Sequence, residues 1–149
     1  MYQRIFVPVD DSDTSNLALN EACRLAKELG ASVRLVHVVD LAQFGCGGTE
    51  FLDASELQKS IKQAGEQVLG QAEAKAKAAG IEPEGKILES WGDKIASVLI
   101  EDATQWGADL IVMGTHGWTG LMHILMGSVA EGLLKQSDVP VLLVRSKGE

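Results

Sequence analysis

Positive charge is scarce in this 149-residue chain, in which 13 lysines and arginines stand against 21 aspartates and glutamates, for a formal net charge of −8. Non-specific binding to nucleic acids and to anionic membranes is driven by dense positive charge. The composition therefore argues against a general nucleic-acid or membrane-surface binder. A small anionic ligand is compatible with this balance, because local backbone amides can outweigh a distant negative surface.

Cysteine is also rare, since Cys23 and Cys46 are the only two. Two cysteines are too few for a secreted disulfide framework, and we expect both to be free thiols, as is usual in a reducing compartment. The sequence shows no basic N-terminal segment followed by a long apolar stretch, and no apolar run approaches the roughly 20 residues that span a bilayer. We therefore expect a cytoplasmic protein.

Hydrophobic residues are plentiful, at 46% of the chain, and fall into short runs that alternate with helical patterns. The predicted strands are Arg4–Val9, Ser32–Val39, a weaker Glu84–Leu88, Asp109–Met113 and Val141–Arg145. The predicted helices are Thr14–Leu29, Ala54–Ala79, Ile95–Trp106 and Ser128–Ser137. Continuous apolar strands joined by helices predict an open parallel sheet covered on both faces. We expect one Rossmann-like α/β domain over residues 1–149.

Local signals mark the ends of several helices. Ser12 and Asp13 are both able to cap the first helix, and Gly30 follows its last residue, as glycine does after a C-cap. Gly92 and Asp93 predict a turn and a cap for the third helix. The range 41–53 is predicted to be a loop.

Four glycines lie within residues 114–129, between the fourth strand and the fourth helix: Gly114, Gly117, Gly120 and Gly127. A helix N-terminus offers unpaired N–H groups and a partial positive charge, for which phosphate is the natural partner. The backbone amides of Gly127, Ser128 and Val129 are therefore predicted to hold phosphate. Gly114 and Gly117 would let a sugar or a phosphate lie against bare backbone.

Other interpretations of this segment stay open. Ser128 and Glu131 match a capping box, in which the serine caps the helix and the glutamate bonds back, and this is compatible with phosphate binding to the amides. Gly120 is typical of a simple turn. The apolar stretch 118–126 is consistent with packing over a cleft or with a subunit or partner contact.

The carboxyl ends of the strands are where ligands bind in such sheets, at the point where the strand order reverses. If strands 1 and 4 are neighbours, that point brings Asp10 near the glycine segment. A carboxylate there would bind a ribose hydroxyl, an adenine amine or the water shell of Mg²⁺. The alternative is that Asp10 only stabilises the turn beside Ser12.

The three histidines, His37, His116 and His123, have no metal-ligand spacing with either cysteine. His37, within a strand, is expected to be a core or edge histidine with its hydrogen bonds satisfied. In a hydrolase, His116 could act as the base and Ser128 as the nucleophile. However, the sequence shows no nucleophile-elbow motif around the serine and no third group to orient the histidine. A hydrolase is therefore disfavoured.

The order of motifs along the chain resembles the ATP-binding branch of the universal stress protein family. The glycine pattern Gly114-x2-Gly117-x9-Gly127-Ser128 carries the resemblance, together with RIFVPVDDSDTS, LVHVVD, WGD, DLIVMGTHG, GSVAEGLL and PVLLVR. It covers nearly the whole chain and implies a five-stranded parallel sheet with strand order 3-2-1-4-5.

The resemblance also implies a binding site for ATP, with Mg²⁺ carried by the nucleotide and placed near Asp10. Three groups of residues would surround the ligand. The adenine and ribose would lie against Pro8, Val9, Asp10, either Val38 or Val39, Met113 and Gly114. The ribose or α-phosphate would meet His116 and Gly117, and the outer phosphates would meet Gly127, Ser128 and Val129. Arginine is frequent in the family at the position of His116, and a neutral histidine supplies less charge.

The resemblance further implies a homodimer that pairs through the edge strand Val141–Arg145. An uncovered apolar edge would otherwise promote aggregation. We expect an ATP-binding regulatory protein that acts through its conformation or through an unidentified protein partner. The alternatives are a slow ATPase or phosphotransferase that uses Asp10 or His116, and an interaction module that binds no nucleotide.

Overall fold

The computed structural model describes residues 1–41, 54–91, 94–115 and 128–145. The strands are β1 (Arg4–Pro8), β2 (Ser32–Asp40), β3 (Glu84–Ser90), β4 (Leu110–Gly114) and β5 (Val141–Val144). They form one five-stranded parallel sheet in the order β3-β2-β1-β4-β5. The predicted α/β class and strand order are confirmed.

Within the described ranges, four helices cover the two faces of this sheet: α1 (Asp13–Leu29), α2 (Ala54–Ala78), α3 (Ile95–Trp106) and α4 (Ser128–Gln136). α1 and α2 pack on one face against buried residues that include Ile5, Val7 and Leu35. α3 and α4 pack on the other face against Phe6 and its neighbours. Side chains alternate between faces along a strand, so consecutive residues of β1 belong to different cores.

The predicted ends of α1 are confirmed. The Ser12 hydroxyl accepts a hydrogen bond from the Ser15 N–H at 3.2 Å, and Gly30 has the left-handed φ of 68° that favours glycine. The cap of α3 was predicted one residue too early. Its N-cap position is Lys94, whose side chain makes no capping hydrogen bond, and Asp93 lies outside the described residues.

Two edge strands differ from their predicted bounds. β3 runs two residues beyond Leu88, because Glu89 and Ser90 continue the pairing with β2. Lys62 of α2 lies 3.1 Å from the Glu89 carboxylate and lowers the pKa of that carboxyl through this hydrogen bond. β5 ends at Val144, so Arg145, which was assigned to the strand, lies just beyond it.

A buried ion pair joins β2 to α3 at the amino ends of the strands. The Arg34 guanidinium donates through Nε and Nη2 to the Asp102 carboxylate at 2.9 and 3.1 Å. Their side chains are 12% and 5% exposed, and Lys86 adds a third contact to Asp102 at 3.1 Å. The Arg34 guanidinium also lies 5.8 Å from the centre of the Trp106 ring. This pair fixes α3 on the sheet.

Candidate functional site

The switch point predicted between strands 1 and 4 is present in the sheet. β1 has β2 on one side and β4 on the other, so the strand order reverses between β1 and β4. The Cα pairs between these two strands are Ile5 with Leu110 and Phe6 with Ile111. The carboxyl ends of both strands lie beyond those pairs, and within the described residues no further Cα pair joins them there.

Pro8 explains in part why the pairing stops there. The Val9 N–H donates to the Val36 carbonyl of β2 at 2.8 Å. Backbone N–H groups alternate in direction along a strand, so the nitrogen of residue 8 faces β4. Proline has no N–H, so β1 offers no donor to β4 at this position. The missing donor favours separation of the strands at the predicted site.

Three predicted site residues from three different elements meet on the α3/α4 face of the sheet. Val38 near the end of β2, Met113 in β4 and Val129 in the first turn of α4 belong to one buried cluster. They are 4%, 1% and 5% exposed. Together these three residues form an apolar wall within the core beneath α3 and α4, and Val129 stands in it at the N-terminal end of α4.

Val9 and Val39 lie on the opposite face. Val9 packs in the core beneath α1 and α2. Val39 contacts α2 so closely that a Cβ added at Gly65 would lie 2.6 Å from the Val39 Cγ1 atom. Of the two valines that the sequence left open, Val38 shares a cluster with Met113 and Val129, and Val39 does not. Which of them meets a ligand stays a prediction.

The imidazole ring of His37 has a hydrogen-bond partner, as predicted. Its Nδ1 atom lies 2.8 Å from the Val9 carbonyl oxygen, within hydrogen-bonding distance. This contact ties the carboxyl end of β1 to β2. Among the residues that the structure describes, no group of three or more histidine, cysteine or acidic side chains is placed to hold a metal ion.

Asp10 organises the turn that follows β1. One carboxylate oxygen accepts from the Ser12 N–H at 2.8 Å, and the Asp10 N–H donates to the Ser15 hydroxyl at 2.9 Å. The proposed turn-stabilising role of Asp10 is thus confirmed. Its role toward a ligand stays a prediction, and the half-buried carboxylate does stand at the carboxyl end of the central strand.

Gly114 has a packing role that the sequence interpretation missed. A Cβ added to Gly114 would lie 2.6 Å from the Thr14 Oγ1 and 2.7 Å from the Thr14 carbonyl carbon. The first turn of α1 therefore rests directly on the end of β4. Bare backbone is needed at residue 114 for this helix contact, whatever ligand binds. The sequence hints at this contact only through Thr14, a short polar residue at the start of α1.

Several predicted residues lie outside the described residues: His116, Gly117, Gly120, His123, Gly127, Cys46, the stretch 118–126 and most of the predicted loop (42–53). Ser128 is the first residue of α4, and Glu131 of the predicted capping box pairs with Lys135 at 3.1 Å. The other thiol, Cys23, is free and buried, and burial raises its pKa.

Together, the parallel sheet, its reversed strand order and the helices on both faces define a doubly wound α/β protein. The sequence matches the model of the universal stress protein family over residues 1–145, and the chain belongs to that family. No helix within the described residues is long and apolar enough to cross a membrane.

Similar proteins support this assignment. The universal stress protein MJ0531 of Methanocaldococcus jannaschii is 38% identical over 149 residues, which cover 97% of this chain and 83% of that protein. The structure of MJ0577 from the same organism has a TM-score of 0.85 at 29% identity and covers 100% of this chain and 99% of that chain. A universal stress protein crystallised in complex with cAMP has a TM-score of 0.70 at 27% identity, covering 96% and 97%.

Proposed function

We propose that this protein is a cytoplasmic regulator of the stress response that binds ATP at the crevice between β1 and β4. One observation carries the proposal: Val38, Met113 and Val129, which the family resemblance implies as nucleotide contacts, belong to one buried cluster on the α3/α4 face of the sheet. The adenine nucleotide cAMP in a similar universal stress protein supports the same ligand class.

The chemistry of the crevice suits the parts of ATP in order. An adenine ring is flat and largely apolar, and would lie at the carboxyl ends of the strands, next to the apolar cluster that contains Val38, Met113 and Val129. The phosphates would extend toward the start of α4, where backbone N–H groups and the helix dipole favour negative charge. The nucleotide would thus bridge the sheet and α4.

Asp10 is the proposed contact for the ribose or for Mg²⁺. Its Oδ1 atom is held by the Ser12 N–H, and no hydrogen bond to the Oδ2 atom is found among the described residues. A fixed carboxylate with one uncommitted oxygen can accept a hydrogen bond from a ribose hydroxyl or from a water on Mg²⁺. The turn and the ligand would then use different oxygens of one side chain.

Calorimetric titration with Mg-ATP tests the proposal, and it is carried out on the dialysed parent protein and on the variant Gly127→Glu. We expect saturable binding by the parent and none by this variant, because the glutamate places bulk and a carboxylate immediately before α4. Gly70→Glu is the matched control, since Gly70 lies in the exposed part of α2 with nothing within 4 Å of an added Cβ. It should bind like the parent. A parent freed of co-purified nucleotide that shows no heat of binding would refute the proposal.

We also propose that the protein acts as a homodimer through β5. The two edges of the sheet differ in charge: β3 carries Glu84, Lys86 and Glu89, whereas β5 has the sequence VLLV. Charged residues on an edge strand discourage pairing with another chain, and an uncharged apolar edge invites it. Leu142 of β5 is 37% exposed, so pairing through this strand would cover it.

Leu142→Lys is expected to shift the protein from dimer to monomer, because it places a charge in the centre of the proposed contact strand. Sedimentation velocity at micromolar concentration measures the change. Trp91→Lys is the control, since Trp91 is 56% exposed and follows β3 at the other edge. It should leave the dimer intact. A parent that sediments as a monomer would exclude this interface.

A further inference from the structure

A cavity of ligand size lies between α3 and α4, and Val129 at the start of α4 is part of its lining. It measures about 410 Å³ and is lined by residues that include Lys94, Ile95, Val129, Gly132 and Gln136. Small-molecule sites typically occupy about 300–1,000 Å³. The cavity is therefore large enough for a nucleoside-sized group, and the proposed function does not yet assign it an occupant.

The cavity forms a groove between α3 and α4, and the two helices are held close together beside it. A Cβ added to Gly132 would lie 2.7 Å from the Ala96 Cβ, so α4 approaches α3 as closely as glycine permits. The Ser97 hydroxyl donates to the Gln136 amide oxygen at 3.2 Å and links the helices a second time. The side chains of Ile95, Ala96 and Val129 give the lining more apolar than polar surface. Such a surface suits a flat, uncharged group.

The two lysines that line this groove differ in whether they already have an acidic partner. Lys135 already pairs with Glu131 at 3.1 Å. Lys94, at the N-cap of α3, has no carboxylate partner among the residues that the structure describes. An uncompensated ammonium beside an apolar groove favours a ligand that is anionic at the entrance and uncharged further in.

Val129 links this groove to the proposed nucleotide site, since it belongs both to the wall shared with Val38 and Met113 and to the groove lining. We propose that the preferred ligand is an adenine nucleotide whose terminal phosphate carries a second, uncharged group, such as another nucleoside. That group occupies the α3/α4 groove, and Lys94 neutralises part of the phosphate chain that leads into it. This inference rests on the proposed function, because it extends the same site.

The test compares ATP with diadenosine tetraphosphate by calorimetric titration of the intact protein. We expect the dinucleotide to bind about tenfold more tightly than ATP, since its second nucleoside fills the groove. Lys94→Glu should reduce the ratio of the two affinities to near one, and Lys94→Arg should preserve it. Lys59→Glu on exposed α2 makes the same change in net charge away from the groove and should leave the ratio unchanged.

The outcomes separate this inference from the function on which it rests. Equal affinities for the two ligands in the parent, or a ratio that survives Lys94→Glu, would overturn the groove assignment and leave ATP binding intact. Failure of both ligands to bind would overturn the nucleotide-binding function and the groove together. Circular dichroism of each variant shows whether a loss of binding reflects a loss of folding.

Discussion

Asp102→Ala is expected to lower the free energy of unfolding by about 3 kcal/mol, the lower end of the range for removing one partner of a buried ion pair. The carboxylate receives two hydrogen bonds from Arg34 and one from Lys86, and only 5% of its side chain is exposed. Without it, the Arg34 guanidinium, which is 12% exposed, loses its bidentate partner. The expected loss stays at the lower end because Glu84 still contacts Arg34.

Urea unfolding monitored by circular dichroism measures this loss. Glu84→Ala is the control: Glu84 contacts the same arginine but is 56% exposed, so its removal should cost less than about 1 kcal/mol. The double variant Arg34→Leu/Asp102→Leu removes both charges and should be less destabilised than the sum of its component single variants, Arg34→Leu and Asp102→Leu. Additive losses would show that the two side chains do not act as a pair.

Gly114→Ala is expected to lower the free energy of unfolding by about 2 kcal/mol, which is typical of overpacking in a rigid contact. The added methyl group would lie 2.7 Å from a backbone atom of Thr14. Backbone gives way less readily than the end of a flexible side chain. Either α1 must move away from β4, or the strand must shift in the sheet.

Gly70→Ala makes the same chemical change with the opposite expected sign. An added Cβ at Gly70 meets nothing within 4 Å, and alanine is a better helix former than glycine. This variant should gain about 0.5–1 kcal/mol. Thermal or urea unfolding of the pair checks both signs. A neutral Gly114→Ala would mean that glycine is dispensable for packing at this junction and would return attention to a ligand there.

Much of the fold follows from local pattern. The alternation of apolar runs with helical segments predicts a parallel sheet, and single residues such as Ser12 and Gly30 mark helix ends through their own backbone preferences. The strand order came from the family resemblance, since local pattern alone does not fix which strands are neighbours. β3 was predicted two residues too short, because the polar pair Glu89 and Ser90 belongs to the strand through pairing with β2.

The candidate site contains contacts that local sequence pattern does not predict. Val38 and Val39 are identical in sequence terms, and only their placement against α2 or β4 separates them. The pair of Arg34 and Asp102 joins residues 68 positions apart, so no local periodicity reveals it. Gly114 was interpreted as a place for a ligand, whereas its closest neighbour is the helix that starts at residue 13. Each case depends on contacts that form only in the folded chain.

The strict alternation of faces along β2 has a consequence for evolution. Val38 contributes to the wall of the proposed site, and its neighbour Val39 is committed to the core beneath α2. A substitution at Val38 could therefore change ligand preference, whereas Val39 is constrained by its packing against α2. Substitutions at these two adjacent positions would then have different consequences: at position 38 they would alter the proposed site, and at position 39 they would alter the packing of α2.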